Sequence, residues 1–99
     1  MLESEYQAEL IKRLEARYPR CLVMKNDANY RQGIPDLTIF NGRQWAFLEV
    51  KPSERSKERP NQRYFIETWH HVAFAAFIYP ENEFEILRDL DEYFIGVMH

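Results

Sequence analysis

The chain has 99 residues, of which 45% are hydrophobic and 15% aromatic, and its formal net charge is −3. This composition predicts one globular domain over residues 1–99 and excludes a disordered chain. The apolar runs are too short to cross a membrane, and the first residues lack the pattern of a signal peptide, so we expect a cytoplasmic location. A domain of this size has a small hydrophobic core, and dimerisation would bury further apolar surface.

Charge is distributed unevenly along the chain. Residues 10–63 carry twelve Lys and Arg against six Asp and Glu, whereas residues 64–99 carry one basic residue against seven acidic ones. The local field steers a polyanion more than the net charge does, so the negative total does not exclude a nucleic-acid partner. An ordinary mixed surface with an acidic end is the alternative explanation.

The predicted elements follow the order α-β-β-β-α-β, with a short β-α tail at the C-terminus. Apolar residues at helical spacing, followed by Pro19, predict a first helix over Glu3–Tyr18. An α/β fold with a mixed sheet flanked by helices is the economical way to bury these elements. The other predicted elements are a strand at Cys21–Lys25, a polar loop at Asn26–Gly33, hairpin strands at Pro35–Phe40 and Arg43–Lys51, a charged loop at 52–60, a helix at Asn61–His70, a strand at Val72–Tyr79, an edge strand at Phe84–Leu87 and a helix at Asp89–Ile95.

The hairpin brings two acids together. The Asn-Gly pair at 41–42 lies between two apolar runs and predicts a two-residue type I′ turn. With that turn, Asp36 lies opposite Phe47, and Glu49 is its diagonal neighbour on the same face, about 7–8 Å away at the backbone. Lys51 shares this face because side chains two apart on a strand point the same way. The opposite face is fully apolar and consists of Leu37, Ile39, Ala46, Leu48 and Val50.

Two carboxylates beside a lysine suit the hydrolysis of a phosphodiester bond. Mg²⁺ takes hard oxygen ligands, usually one or two carboxylates plus water and substrate oxygens. Asp36 and Glu49 would supply the carboxylates, and the backbone carbonyl of Val50 is a third candidate ligand. Lys51 could orient the attacking water or stabilise the charge that grows on the phosphate in the transition state.

The same residues carry a resemblance to a known family. Pro35-Asp36 followed by Glu49-Val50-Lys51 resembles the PD-(D/E)xK nuclease signature. The fuller pattern, with GIPDL at 33–37 and PNQ at 60–62, resembles the VRR-Nuc branch of that superfamily over roughly residues 3–79. The resemblance implies a restriction-endonuclease-like αβββαβ core and cleavage of DNA with Mg²⁺ or Mn²⁺.

The resemblance also implies an assembly and a substrate. Short phage-type members act as dimers on branched DNA, much as Holliday junction resolvases do, so we expect a homodimer that cuts branched or junction DNA. We expect its interface in the C-terminal half of the chain, which is rich in aromatic residues. The aromatic residues in question are Phe74, Phe77, Phe84, Tyr93 and Phe94.

Two further catalytic residues are implied by the family pattern. A first-helix glutamate of the family corresponds by position to Glu3, which continues the apolar stripe of the helix, whereas Glu5 and Glu9 lie off that stripe and remain alternatives. A helix N-terminus also favours an acid through the macrodipole, which would explain Glu3 without catalysis. The family glutamine corresponds to Gln62, whose amide could bind a phosphate oxygen.

Basic and aromatic residues around the acids are candidates for contacts with the DNA backbone. No Gly-rich phosphate loop is present in the sequence, so no nucleotide cofactor is expected. The alternatives are a non-catalytic DNA-binding or assembly module with the nuclease fold, an RNA-directed nuclease, and a structural domain with a chance motif. The candidate DNA-binding residues are Lys25, Tyr30, Arg31, Arg55, Lys57, Arg59 and Arg63.

Overall fold

Alternating apolar residues in the hairpin form the centre of a four-stranded sheet. The computed structural model describes residues 1–96. The elements are α1 (Glu3–Arg17), β1 (Leu22–Lys25), β2 (Leu37–Asn41), β3 (Gln44–Val50), α2 (Pro60–His70), β4 (Phe74–Ile78) and α3 (Glu83–Gly96). The strands lie in the order β1-β2-β3-β4, with β1, β2 and β3 antiparallel and β4 parallel to β3. The predicted αβββαβ core is confirmed.

One face of the sheet is covered by α1 and α3. The predicted apolar face of the hairpin is fully buried there, together with the stripe of α1 at Tyr6, Leu10 and Leu14. Leu90 and Phe94 of α3 join the same core. Burial of a large apolar side chain contributes about 1.5–3 kcal/mol, so this cluster is the main source of stability.

The other face of the sheet is covered by α2 through an aromatic cluster. Trp45 and Phe47 of β3 pack against Phe65 and Trp69 of α2, with ring centroids between 5.1 and 6.1 Å apart. Strand β4 is covered on both faces, as its apolar run predicts. No helix within residues 1–96 is long and apolar enough to cross a membrane.

The register of the hairpin differs from the prediction. Asn41 pairs with Gln44, so the turn residues are Gly42 and Arg43 rather than the Asn-Gly pair. Gly42 has a φ of 66°, whereas the φ of Arg43 is not positive. A type I′ turn needs positive φ at both central residues, and glycine at the first position alone fits a type II′ turn. Each residue of β2 therefore pairs with a residue of β3 two positions further along the chain than predicted. Because side chains alternate between the two faces, each one keeps its predicted face of the sheet.

The C-terminal tail is one helix, and the predicted edge strand at Phe84–Leu87 is wrong. Helix α3 is continuous from Glu83 to Gly96. Leu87, Leu90 and Phe94 are spaced three and four residues apart and are all buried, which is a helical pattern. Four residues with apolar Phe84, Ile86 and Leu87 are too few to distinguish a strand from the first turn of a helix.

The burial of the C-terminal aromatic residues also corrects the predicted dimer interface. Phe74, Phe77 and Phe94 are buried within the chain, and Tyr93 packs against the core. Only Phe84 of this set is widely exposed, at 84%. The two faces of the sheet pack against three helices, and the other aromatic side chains of the set fill the interfaces between them. They are therefore not available for a contact between two copies of the chain.

Two polar clusters fasten α3 to α1. The hydroxyl of Tyr6 donates to Glu83 Oε1 at 2.8 Å, and Arg13 donates to both oxygens of the same carboxylate, each at 2.8 Å. One turn beyond the buried stripe, Arg17 makes two hydrogen bonds to Asp91, and the Tyr18 hydroxyl donates to the same carboxylate.

Asp91→Ala should lower the free energy of unfolding by about 1–3 kcal/mol near neutral pH, because it leaves the Tyr18 hydroxyl and the Arg17 guanidinium without their acceptor. The hydrogen bonds from Arg17, with a smaller contribution from Tyr18, hold the pKa of Asp91 below its ordinary value. The advantage of the wild type is therefore present above the unfolded-state pKa and is lost as pH falls through the folded-state pKa.

Urea unfolding at about pH 7 and about pH 3 measures this difference. Asp89→Ala is the matched control on the same helix, because within residues 1–96 Asp89 forms an ion pair only with its exposed neighbour Arg88, at 3.5 Å. A pair of that kind contributes about 0–1 kcal/mol. Equal losses in the two variants at both pH values would contradict the assignment.

Candidate functional site

Asp36 and Glu49 lie directly opposite each other where the β2–β3 ladder ends. The backbone N–H of Asp36 donates to Glu49 Oε1 at 3.0 Å, and the N–H of Val50 donates to Asp36 Oδ2 at 2.9 Å. Each carboxylate is thus held by the backbone of the other strand. The predicted diagonal relationship is wrong because of the two-residue change in register, and the acids are closer than expected.

Gln62 joins this pair to Lys51. Its Nε2 donates to Glu49 Oε2 at 2.6 Å, and its Oε1 accepts from Lys51 Nζ at 3.0 Å. The Oε1 atom also accepts from the backbone N–H of Arg59 at 3.0 Å, at the residue before α2. Lys51 Nζ lies 3.6 Å from Glu49 Oε2. Both polar atoms of the Gln62 side chain are therefore used to hold catalytic candidates in place.

The five predicted catalytic residues line one cavity of about 750 Å³. Of the three candidate glutamates, Glu3 lines this cavity from the first turn of α1. Glu5 instead accepts a hydrogen bond from the backbone N–H of Leu2 at 2.9 Å, and Glu9 lines a separate cavity between α1 and α3. The residues that meet in the site cavity are Glu3, Asp36, Glu49, Lys51 and Gln62.

The acids of the site are electrostatically strained without a cation. Glu49 is only 3% exposed, and its burial, with the adjacent Asp36 carboxylate, raises its pKa to about 7. Burial and Asp36 also raise the pKa of Glu3 above its ordinary value, while Lys51 acts in the opposite direction. A cation between the carboxylates would favour their ionised forms.

The donor set fits Mg²⁺. Asp36 and Glu49 are hard oxygen ligands held at fixed positions, and a carboxylate oxygen that accepts one N–H keeps a further lone pair for a metal. Among residues 1–96, no group of three or more His, Cys, Asp or Glu is arranged to hold a metal. The remaining ligands would then be water, substrate oxygens and the backbone carbonyl of Val50, whose role stays a prediction.

The predicted DNA-binding residues divide into three sets. Lys57 and Arg59 line the site cavity. Arg63 lies elsewhere, because it pairs with Glu58, stacks 4.9 Å from the Phe77 ring centroid, and lines a groove along β4. The third set is exposed outside the cavity and consists of Lys25, Tyr30, Arg31 and Arg55.

Asn26 is a positioning residue that the sequence prediction missed. Its Nδ2 donates to the Pro35 carbonyl at 3.0 Å and to Thr38 Oγ1 at 2.7 Å, and its backbone N–H donates to the Asp36 carbonyl at 2.8 Å. The backbone that carries Asp36 is therefore fixed from β1. An asparagine directly after a strand, with a threonine on the mixed face of the next strand, was the signal available in the sequence.

The motif GIPDL begins with a glycine because the backbone at position 33 requires one. The φ of Gly33, 84°, is in the region that favours glycine. A Cβ at this position would lie 3.2 Å from the backbone oxygen of Asn61. The loop before Asp36 is thus seated on the first turn of α2, which also carries Gln62.

In the absence of divalent cations, the contribution of Glu49 to stability should fall as pH rises. A pKa raised from 4.5 to about 7 means that ionisation is disfavoured in the folded state. The contribution is fully present below the unfolded-state pKa and is lost as pH rises through about 7. Urea unfolding of the wild type and Glu49→Gln in EDTA, from about pH 4 to about pH 8, should show the variant gaining relative stability with pH. A difference that is constant over this range would contradict the electrostatic account.

Comparison with solved structures supports the interpretation of the fold. One solved structure, described as "VRR_NUC domain", has a TM-score of 0.69 and 27% sequence identity to this chain, and the match covers 92% of this chain and 96% of that one. No protein-family model matches the chain, and no curated protein matches it. The matched structure has the fold that the PD-(D/E)xK residues indicate. The chain therefore has a VRR-Nuc-like nuclease fold.

Proposed function

We propose that this protein is a metal-dependent endonuclease that hydrolyses DNA phosphodiester bonds with Mg²⁺ or Mn²⁺. The observation that carries the proposal is the reciprocal pair of hydrogen bonds that fixes Asp36 against Glu49, with Lys51 Nζ 3.6 Å from Glu49 Oε2. A structural domain has no need to place a partly exposed acid, Asp36, against a buried one, Glu49, at a strand end, because their proximity opposes folding. The similarity to a solved VRR_NUC domain supports the same reaction class.

In the proposed mechanism, some side chains of the site would bind the metal and others would act on the water or the phosphate. Asp36 and Glu49 would hold the metal, which, when bound, supplies neutralisation of the phosphate charge and acidification of a water molecule. Lys51, only 11% exposed and held by Gln62, would donate a hydrogen bond to the attacking water or to a phosphate oxygen. Glu3, which lines the cavity from the first turn of α1, would orient a water molecule beside the two carboxylates.

The proposed substrate is branched or junction DNA bound by a homodimer. Lys57 and Arg59 extend the site cavity toward a second phosphate. Met1, Leu2 and Phe84 are exposed apolar residues, and exposed apolar surface of this kind supports a contact between two copies of the chain. RNA is a competing substrate that the same chemistry would accept.

Asp36→Asn should reduce cleavage of a labelled four-way junction by at least about 10²-fold, because it removes one ligand charge while its side-chain oxygen can still accept from Val50. Calorimetric titration should show Mg²⁺ binding to the wild type and its loss in the variant. Asp27→Asn, at an exposed acid in the neighbouring loop, is the matched control and should keep both properties. Junction binding without Mg²⁺-dependent cleavage in the wild type would favour the non-catalytic module.

Lys51→Ala should reduce the cleavage rate by about 10²–10³-fold while Mg²⁺ affinity is kept or slightly increased, since an ammonium near the carboxylates opposes a bound cation. Lys57→Ala is the contrasting variant, because an exposed lysine on the cavity rim should weaken DNA binding and reduce its salt dependence without this loss of rate. If Lys51→Ala loses metal binding together with activity, the lysine supports the structure of the site and not the reaction.

A further inference from the structure

A second cavity of about 590 Å³ adjoins the site cavity. We call it the amide chamber. It shares Asp36 and Glu49 with the site cavity, so a ligand in the chamber would lie next to the group being cleaved. Its volume is in the range of about 300–1,000 Å³ that is usual for ligand pockets. Beyond the shared residues, the chamber is formed by the loop before Asp36 and the first turn of α2.

The chamber differs chemically from the site cavity. The site cavity contains Lys51 and Lys57, and these cations suit a phosphate. The chamber lacks both lysines among its described lining residues; besides Arg59, which lines both cavities, it presents carboxamides and apolar groups. The lining residues that it does not share with the site cavity are Ala28, Asn29, Gln32, Gly33, Ile34 and Asn61.

Three of the four amides are available to a ligand. Within residues 1–96, the side-chain amides of Asn29, Gln32 and Asn61 make no recorded hydrogen bond to another residue, whereas Gln62 is used by Glu49 and Lys51. A carboxamide offers a donor and an acceptor side by side, which matches the edge of a nucleobase. Ala28 and Ile34 supply apolar surface for the face of the same base.

The walls of the chamber are held in place before a ligand arrives. Gly33 brings the loop to within van der Waals distance of the Asn61 backbone, and Asp27 Oδ1 accepts from the Asn29 N–H at 2.8 Å. Asn26 fixes the other end of the loop to Pro35 and Thr38. A preformed pocket loses little entropy on binding.

We propose that the amide chamber binds an unpaired nucleobase of the nucleotide adjacent to the scissile phosphate. The inference rests on the proposed endonuclease function and narrows its substrate. A base stacked within a duplex cannot enter a side pocket, whereas a base at a bulge, flap or branch can be turned out of the stack at low cost. The chamber would therefore select DNA with an unpaired nucleotide next to the cut.

The test compares three DNA duplexes that differ at one position: fully paired, with a one-nucleotide bulge, and with the same bulge carrying an abasic residue. The abasic substrate keeps the bent backbone and removes only the base. The wild type should cut the base-containing bulge at least about tenfold faster, in kcat/KM, than the abasic bulge. Gln32→Ala/Asn61→Ala should lose this ratio, and Asn41→Ala, an amide at the far end of the hairpin, should keep it.

Binding in EDTA separates this inference from the proposed function. A 2-aminopurine at the bulge should change its fluorescence with the wild type and not with the double variant or with Ala28→Trp, which fills the chamber. If no substrate is cut with Mg²⁺, the proposed function fails, and the fluorescence still decides whether the base is bound. An unchanged signal with the wild type, equal cutting of both bulges, or a ratio kept by the double variant would overturn the inference.

Discussion

The reciprocal hydrogen bonds between the ends of β2 and β3 are the constraint on which the rest of the structure depends. The Asp36 N–H binds the Glu49 carboxylate, and the Val50 N–H binds the Asp36 carboxylate. This arrangement exists only in one register. A one-residue slip would move one acid to the opposite face, and a two-residue slip would separate the acids to diagonal positions. The register is fixed by the core face, where Leu37 pairs with Leu48 and both are fully buried, so the hydrophobic core sets the geometry of the site.

The position of α2 is the second requirement, because Gln62 must reach both Glu49 and Lys51. The helix is anchored through Phe65 and Trp69, which pack on the aromatic end of the same sheet face that carries the acids. Aromatic packing at one end of this face therefore positions an amide at the other. Gln62 also accepts the N–H of Arg59, so the start of the helix and the site share one hydrogen-bond acceptor. The local stability of the helix start is thereby coupled to the arrangement of the catalytic candidates.

The sequence predicted the parts of this site that depend on periodicity. Alternation placed Asp36, Glu49 and Lys51 on one face, and that conclusion was unaffected by the two-residue change in register because the side-chain period is two. The turn itself was mispredicted: asparagine and glycine at 41–42 favour a type I′ turn, but here Asn41 closes the ladder with Gln44. Tertiary pairing outweighed local turn preference.

Other features could not be predicted because they depend on contacts between distant residues. The link from Asn26 to Thr38 joins two strands whose register was unknown from the sequence. The seating of Gly33 on Asn61 joins a loop to a helix twenty-eight positions later. The predicted edge strand at Phe84–Leu87 is instead the first part of α3, which exposes Phe84 and buries Leu87 and Leu90. Burial could be assigned only after the partners of α3 were known.

The charges around the site connect metal binding to DNA binding. The site cavity is lined by four acidic and three basic residues, so without a metal it has no excess of positive charge to attract a phosphate. One divalent cation would supply positive charge at the point where Asp36 and Glu49 meet. Glu49 is buried, so solvent screens its charge only weakly. Its electrostatic interaction with a nearby metal or phosphate is therefore stronger than at an exposed site. The basic residues at the rim would bind the DNA backbone, and the bound metal would add the positive charge needed next to the phosphate to be cleaved.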